Sequence, residues 1–233
     1  MGTFRHYTAM SIQDESGYTG YVPPPCEEEV QVVYADDDIL VVAKPAGLLS
    51  VPGRFVKDSV LQRVMFEFPD ARIVHRLDLD TSGLMVLALT QAAVSELGRQ
   101  FRERLVEKIY TADVWGKPDD TSGEIDLPMR PDPDNRPRQQ IDVEAGKFAL
   151  TRYELIEVLQ NNARLLLAPV TGRSHQLRLH LAAIGHPILG CDLYAHKAAL
   201  EASDRLCLHA TRLRLFHPVT SDPVRFESEP PWV

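Results

Sequence analysis

Apolar positions along this chain change period several times, and each change marks an element. Residues 30–34 and 39–43 are two short β-branched runs on either side of Asp36-Asp37-Asp38, which predicts strand, turn, strand. Asp58 is placed to cap a short helix running to about Phe66, with Pro69 ending it. Residues 83–89 (GLMVLAL) are apolar without a break, as in a strand buried on both faces. Val94, Leu97, Phe101 and Leu105 then recur at spacings of three and four, so the next segment is an amphipathic helix; Arg99, Arg102 and Arg104 fall on its other face. Residues 110–116 predict a strand, and 128–138 a long polar loop rich in Pro and charge. Strands follow at 152–159 and 163–170. Ser174 then caps a helix with Leu177, Leu181 and Ile184 on one face and Gly185 past its end. Short strands near 206–216 and 224–226 close the chain. Strands mixed with a few helices, without strict βαβ alternation, predict an α+β domain on a mixed sheet.

Residues 1–29 carry little apolar periodicity and end in Pro23-Pro24-Pro25-Cys26-Glu27-Glu28-Glu29. They are expected to form a flexible or loosely docked extension ahead of one domain spanning 30–233. No apolar run is long enough to span a bilayer, and no basic flank leads into an apolar stretch at the N-terminus. Cys26, Cys191 and Cys207 lie far apart without a CxxC pair, which argues against a disulfide framework or a zinc site and for a reducing cytoplasm. The net charge of −8 speaks against a nucleic-acid partner until its distribution is read. The first 50 residues hold eight acids and two bases, −6 of the total, which leaves −2 for the other 183. A local basic surface is enough for RNA.

Three segments carry candidate chemistry. The first joins an apolar stretch to the buried strand: Ile73-Val74-His75-Arg76-Leu77-Asp78-Leu79-Asp80-Thr81-Ser82-Gly83. Asp78 here is a nucleophile, a general base, a metal ligand or a turn former, and Asp80-Thr81-Ser82-Gly83 is good turn chemistry by itself. The second, Thr171-Gly172-Arg173-Ser174-His175-Gln176-Leu177-Arg178-Leu179-His180, gathers small and basic residues at a helix N-terminus, a site suited to phosphate or carboxylate. His175 and His180 are five apart, so they do not make a metal pair, and hydrogen-bonded packing accounts for them. The third, Glu107-Lys108-Ile109-Tyr110, places a Tyr at a strand start; it bears on chemistry only if it meets Asp78, because a phenol can stack on a base and exchange a proton.

HRLDxxTSG at 75–83, KxY at 108–110, TGRxHQLRxH at 171–180, GHPILG at 185–190 and LHA at 208–210 stand in the order found in the RluA family of pseudouridine synthases, and Lys44-Pro45-Ala46-Gly47-Leu48 matches that family's KPxGL. The resemblance covers roughly residues 30–230. It implies a pseudouridine synthase fold with a largely antiparallel central sheet flanked by helices. It also implies an isomerase that needs no cofactor and no metal, since substrate and product are isomers. Residue by residue, it implies Asp78 as the nucleophile-like catalyst and Tyr110 as the group that stacks on the flipped uracil and takes a proton. Arg178 would pair with Asp78, and Arg76 would enter the RNA stack where the uridine leaves. His75, Arg173, His175, Leu177, Arg99 and Arg102 are further candidates for binding the substrate. Asp80 matches a variable position. Many members have Asp directly after GHPILG, where this chain has Cys191, with Asp192 one later. The flanking text is most similar to short members, which implies 23S rRNA and a tRNA anticodon stem-loop as partners, and a monomer. Larger members often carry a separate S4-like domain, for which thirty residues ahead of the first strand leave no room. The competing readings are the same chemistry on another tRNA or rRNA site, an RNA-binding or chaperone protein without essential catalysis, and a hydrolase using Asp78 with a His.

Overall fold

A computed structural model describes residues 10–13 and 19–233. The expected loose extension falls partly on residues 1–9 and 14–18, which lie outside the described residues. Strands β1 (Met10–Gln13) and β2 (Thr19–Val22) pair antiparallel with each other.

A ten-stranded mixed sheet organises the rest. β3 (Gln31–Ala35), β4 (Ile39–Lys44) and β6 (Ser82–Ala88) form one half, with the two-residue β5 (Arg72–Ile73) on β6. β7 (Glu107–Trp115), β12 (Asn162–Pro169), β11 (Leu150–Leu159) and β8 (Ser122–Asp126) form the other. β13 (Leu208–Phe216) joins the halves, parallel to β6 and antiparallel to β7, and β14 (Pro223–Glu227) lies along its far end. Among the described residues, β6–β13 is the one parallel ladder between named strands. The predicted α+β class therefore stands. β6 is buried at every position, as its unbroken apolar run requires.

Helix α2 (Gln91–Arg102) lays Ala93 and Leu97 on one face of the sheet, against Ile39, Val41, Leu84 and Val86. It is shorter than the periodicity indicates. Arg104 turns left-handed (φ 60°) and leaves Leu105 43% exposed, so Leu105 is not part of the buried face. The short helix α1 (Val60–Val64) is capped by Ser59, not Asp58; the Asp58 carboxylate instead pairs with Arg63 at 2.7 Å. Helix α3 (Gln176–Ala183) begins at His175, not at Ser174, and the short α4 (Lys197–Glu201) follows. The loop expected at 128–138 contains β9 (Met129–Pro131), which pairs with β10 (Gln139–Ile141) as a separate two-stranded arm. A second core cluster packs Ala112, Leu165, Leu167, Leu177 and Leu181 beneath α3.

Gly83 fixes how closely the halves meet. Its φ is +109°, and a Cβ there would sit 2.5 Å from both the backbone N and O of Ala210. Gly83→Ala is therefore expected to cost more than about 3 kcal/mol, through strain and displacement of β13 together. Urea unfolding checks this, and a loss under 1 kcal/mol would show that the close approach is soft.

Candidate active site

Asp78 lies in the connection between β5 and β6, and its neighbours are tied down on both sides. Ser50 Oγ donates to the Leu77 carbonyl (2.7 Å) and accepts from the Leu77 N–H (3.1 Å). Lys44 Nζ donates to the carbonyls of Pro45, Leu48 and Leu79 at 2.7–2.8 Å, and the Gly47 N–H donates to the Leu79 carbonyl. Thr81 N–H closes a turn back onto the Asp78 carbonyl (3.2 Å). The 44–50 segment thus clamps the residue before Asp78 and the residue after it. Lys44 is 1% exposed, and burial lowers its ammonium to about 7 against the pull of Asp80 and Asp78.

Strand register brings the second candidate to the first. Ala210 of β13 is opposite Gly83 on one side and Tyr110 on the other, and Tyr110 is in turn opposite Leu167 of β12. Burial raises the Tyr110 phenol, with the Asp78 charge adding to it, so the hydroxyl is protonated at neutral pH. β12 runs on into 170–175 and α3, which delivers Arg178. Arg178 is 3% exposed, and Asp78 is one of the negative charges acting on it. Its direct ion pair, however, is with Asp192 (Nη2–Oδ1 2.5 Å), while its Nε donates to Cys191 Sγ (3.3 Å). Asp78 makes no side-chain hydrogen bond or ion pair among the described residues. The contact expected between Arg178 and Asp78 is thus one of field, not of touch, and the carboxylate gripping Arg178 is the one displaced by one position after the GHPILG segment. Burial, with Asp192 next, pushes the Asp80 carboxyl up.

These groups open onto a cleft of about 870 Å³. Arg76, Arg102, Arg104, Lys108, Arg173 and Arg178 line it, and Asp78 is the single carboxylate in its wall among the described residues. His175 and Leu177 line it too, Leu177 while packed in the core at 7% exposure. Arg76 is exposed and makes no side-chain hydrogen bond or ion pair among the described residues. Arg173 lends one Nε–H to the Phe148 carbonyl. Arg99 is placed differently. It is held by Glu96 (2.7 Å) and Glu103 (2.5 Å) and is not in the cleft wall, so its i,i+3 and i,i+4 partners, visible in the sequence, absorb it.

His75 lines the cleft but is spent on structure. Its Nε2 accepts the Val86 N–H (3.1 Å), extending the β5–β6 ladder, and its ring stacks on Phe101 at 4.5 Å. Burial, then Lys108, lowers it from 6.5 to about 3. His209 is lowered likewise to about 4, chiefly by burial. Between those values and 6.5 the unfolded chain binds protons that the folded chain does not. Stability must therefore fall as pH drops through that window, by about 1.4 kcal/mol per pH unit for each histidine. His75→Gln, which keeps an acceptor for Val86, is expected to remove one such slope in urea titrations from pH 7 to pH 4; an unchanged slope would contradict the neutral assignment.

Ser50, Lys108, Gln139 and Tyr194 belong to the site without having been singled out in sequence, although Lys108 stands inside the KxY motif. Among the described residues one group, Asp36, Asp38 and His217, has metal-type donors close together, away from the cleft wall. Asp36 already accepts from two backbone N–H groups, Tyr34 Oη and His217 Nε2, which accounts for the cluster without an ion.

No helix among the described residues is long and apolar enough to cross a membrane. Residues 38–183 match the family described as RNA pseudouridylate synthase. The dual-specificity RNA pseudouridine synthase RluA of Escherichia coli (strain K12) is 50% identical over 208 residues, 88% of this chain and 95% of that protein. The protein of the same name from Yersinia pestis is 52% identical over 201 residues, 85% of this chain and 98% of that one. Among solved structures, human RNA pseudouridylate synthase domain containing 1 superposes with a TM-score of 0.77 at 30% identity, over 91% of this chain and 88% of that one. Motif order, sheet register and these similarities agree, and the chain belongs to the RNA pseudouridylate synthase family, the isomerases that convert uridine in RNA to pseudouridine.

Proposed function

We propose that this enzyme isomerises uridines in structured RNA of two kinds, a 23S rRNA site and a tRNA anticodon stem-loop, working as a cytoplasmic monomer without cofactor or metal. The observation that carries the RNA reading is the cleft wall, in which six cations surround one carboxylate in a protein of net charge −8. The dual range follows from the curated relatives, whose name carries dual specificity.

The uridine is drawn from its stack at a cost of a few kcal/mol, and the exposed Arg76 fills the gap it leaves. Asp78 faces C1′ and supports the sugar while the N1–C1′ bond is broken. The detached base turns so that C5 joins C1′. The net proton count is then one proton off C5 and one onto N1. A phenol held protonated in the resting enzyme starts in the right state for this, since Tyr110 gives its proton to N1 and recovers one from C5. Arg178 keeps positive charge beside Asp78 throughout, and being Arg it does not titrate away. Arg102, Arg104 and Arg173 meet backbone phosphates.

Mapping pseudouridines in rRNA and tRNA from a strain lacking this protein tests the assignment. One rRNA site and one tRNA site are expected to revert to uridine and to be restored by the wild-type chain but not by Asp78→Asn. Loss confined to some other RNA would overturn the target.

A further inference from the structure

The arm formed by β9 and β10 is a sheet of its own, and its tip reaches the catalytic wall, where Pro137 and Gln139 line the cleft. The tip carries Arg136 and Arg138, both exposed. Within residues 132–141, the hydrogen bonds apart from Gln139 N–H are made inside the arm. Asp132 accepts from the Asp134 and Asn135 N–H groups, the Asp132 N–H donates to the Arg138 carbonyl, and the Arg138 N–H to the Asn135 carbonyl. β10 passes close to α3, and two polar contacts, a hydrogen bond and a cation over a ring, leave the tip for the body among the described residues; both end on Tyr194. The Gln139 N–H donates to Tyr194 Oη (2.8 Å), and the Arg138 guanidinium lies 5.4 Å from the centre of the Tyr194 ring.

The same tyrosine reaches the catalytic side. Its Oη is 2.9 Å from His175 Nδ1, and the Arg178 guanidinium lies 5.7 Å from its ring centre. The direction of the Gln139 bond is fixed by chemistry. The Gln139 N–H can only donate, so Oη accepts there, and Oη in turn shares one proton with His175 Nδ1. His175 holds a left-handed backbone (φ 55°) at the start of α3 and makes no capping bond with its side chain. That conformation is costly for a residue with a Cβ, by about 1 kcal/mol. It is retained where the ring meets Tyr194.

We propose that Tyr194 is a positioning residue, the joint that docks the 128–147 arm onto the wall carrying His175 and Arg178. RNA capture by the arm and orientation of the catalytic arginine then share one side chain. A docked arm presents Arg136 and Arg138 over the cleft already in place, whereas an undocked one must be ordered at the moment of binding. The effect therefore falls on RNA capture. Arg178 itself keeps Asp192 and Cys191 when the arm lets go.

Tyr194→Phe removes Oη and keeps the ring. Gln139→Pro removes the donor from the arm side; Pro is tolerated on an edge strand where the N–H points away from the ladder. Each variant is expected to raise the KM for a stem-loop RNA about tenfold while kcat stays within about threefold, and to speed hydrogen exchange at the amides of 138–141 with the rest of the chain unchanged. The two substitutions break one bond, so the double variant is expected to be no worse than Tyr194→Phe alone. Unchanged exchange at 138–141 in Tyr194→Phe would overturn the joint, as would a fall in kcat at constant KM or fully additive effects in the double variant. The inference rests on RNA as the cleft's occupant. Exchange reads the joint without substrate, so an error in that occupant would appear separately, as wild-type enzyme that fails to bind the RNA.

Discussion

Asp78→Asn is expected to lower tritium release from RNA labelled at uridine C5 by at least about 10³-fold while RNA affinity stays within about threefold. The argument rests on what Asp78 does not do. Its carboxylate makes no side-chain hydrogen bond or ion pair among the described residues, and its place is set by backbone contacts through Ser50, Lys44 and Gly47 to its neighbours. An amide of the same shape therefore leaves the loop intact and removes only the charge. A nearly isosteric change that unfolds nothing and abolishes turnover separates a reacting group from a structural one. Turnover by the variant at the wild-type rate would end the assignment, and loss of RNA binding in parallel with activity would show that Asp78 serves the complex, not the reaction.

The second large effect is expected at Arg178, whose charge acts on Asp78 in the cleft wall and on Asp80 and Asp192 behind it. Arg178→Met removes the charge and is expected to cost about 10²- to 10⁴-fold in kcat at neutral pH; Arg178→Lys keeps the charge but loses the fork, at about 10- to 100-fold. The sign of the pH dependence identifies the cause. Without a nearby cation an ionised carboxylate is costlier, so the acid limb of the rate profile must move to higher pH. The Met variant should therefore recover part of its loss between pH 7 and pH 9, whereas the wild-type profile is flat there. An equal deficit at every pH would mean that Arg178 acts by shape alone. Asp192→Asn, which frees one grip on the guanidinium, should have the smaller effect of the two partners, because Cys191 and the Tyr194 ring still hold it.

Much of this fold is readable from local pattern because the elements concerned are locally over-determined. The GLMVLAL run suits a strand buried on both faces, and β6 is buried at every position from Ser82 to Ala88. Period-three and period-four apolar positions give α2, but its end does not follow from the pattern, because Arg104 in a left-handed turn stops it before Leu105. The start of α3 is hidden for a related reason. Ser174 is the better cap by composition, yet the chain uses a left-handed His175 whose ring has a tertiary partner. The β9–β10 arm is masked by Pro and charge, because a ladder of three residues a side is too short to show alternation.

The site divides in the same way. Motif order brings Asp78, Tyr110 and Arg178 to notice, and register through Ala210 explains how strands far apart in sequence place Gly83 and Tyr110 on either side of one β13 residue. The partner of Arg178 is beyond such reasoning. Whether a guanidinium touches Asp78 or Asp192 depends on how the turn after Gly190 packs, which no local period encodes. Lys44 is part of a recognisable string, but its work and that of Ser50 as clamps on the Asp78 loop appears only when the two segments are brought together.

The most direct test of the central claim is a single-turnover reaction of the purified chain with a stem-loop RNA carrying tritium at uridine C5, followed by digestion to nucleosides. The account requires tritium release matched one-to-one by pseudouridine, with no free uracil, from wild type and none from Asp78→Asn. Free uracil in place of pseudouridine would show a hydrolase, and release undiminished in the variant would place the chemistry elsewhere than Asp78.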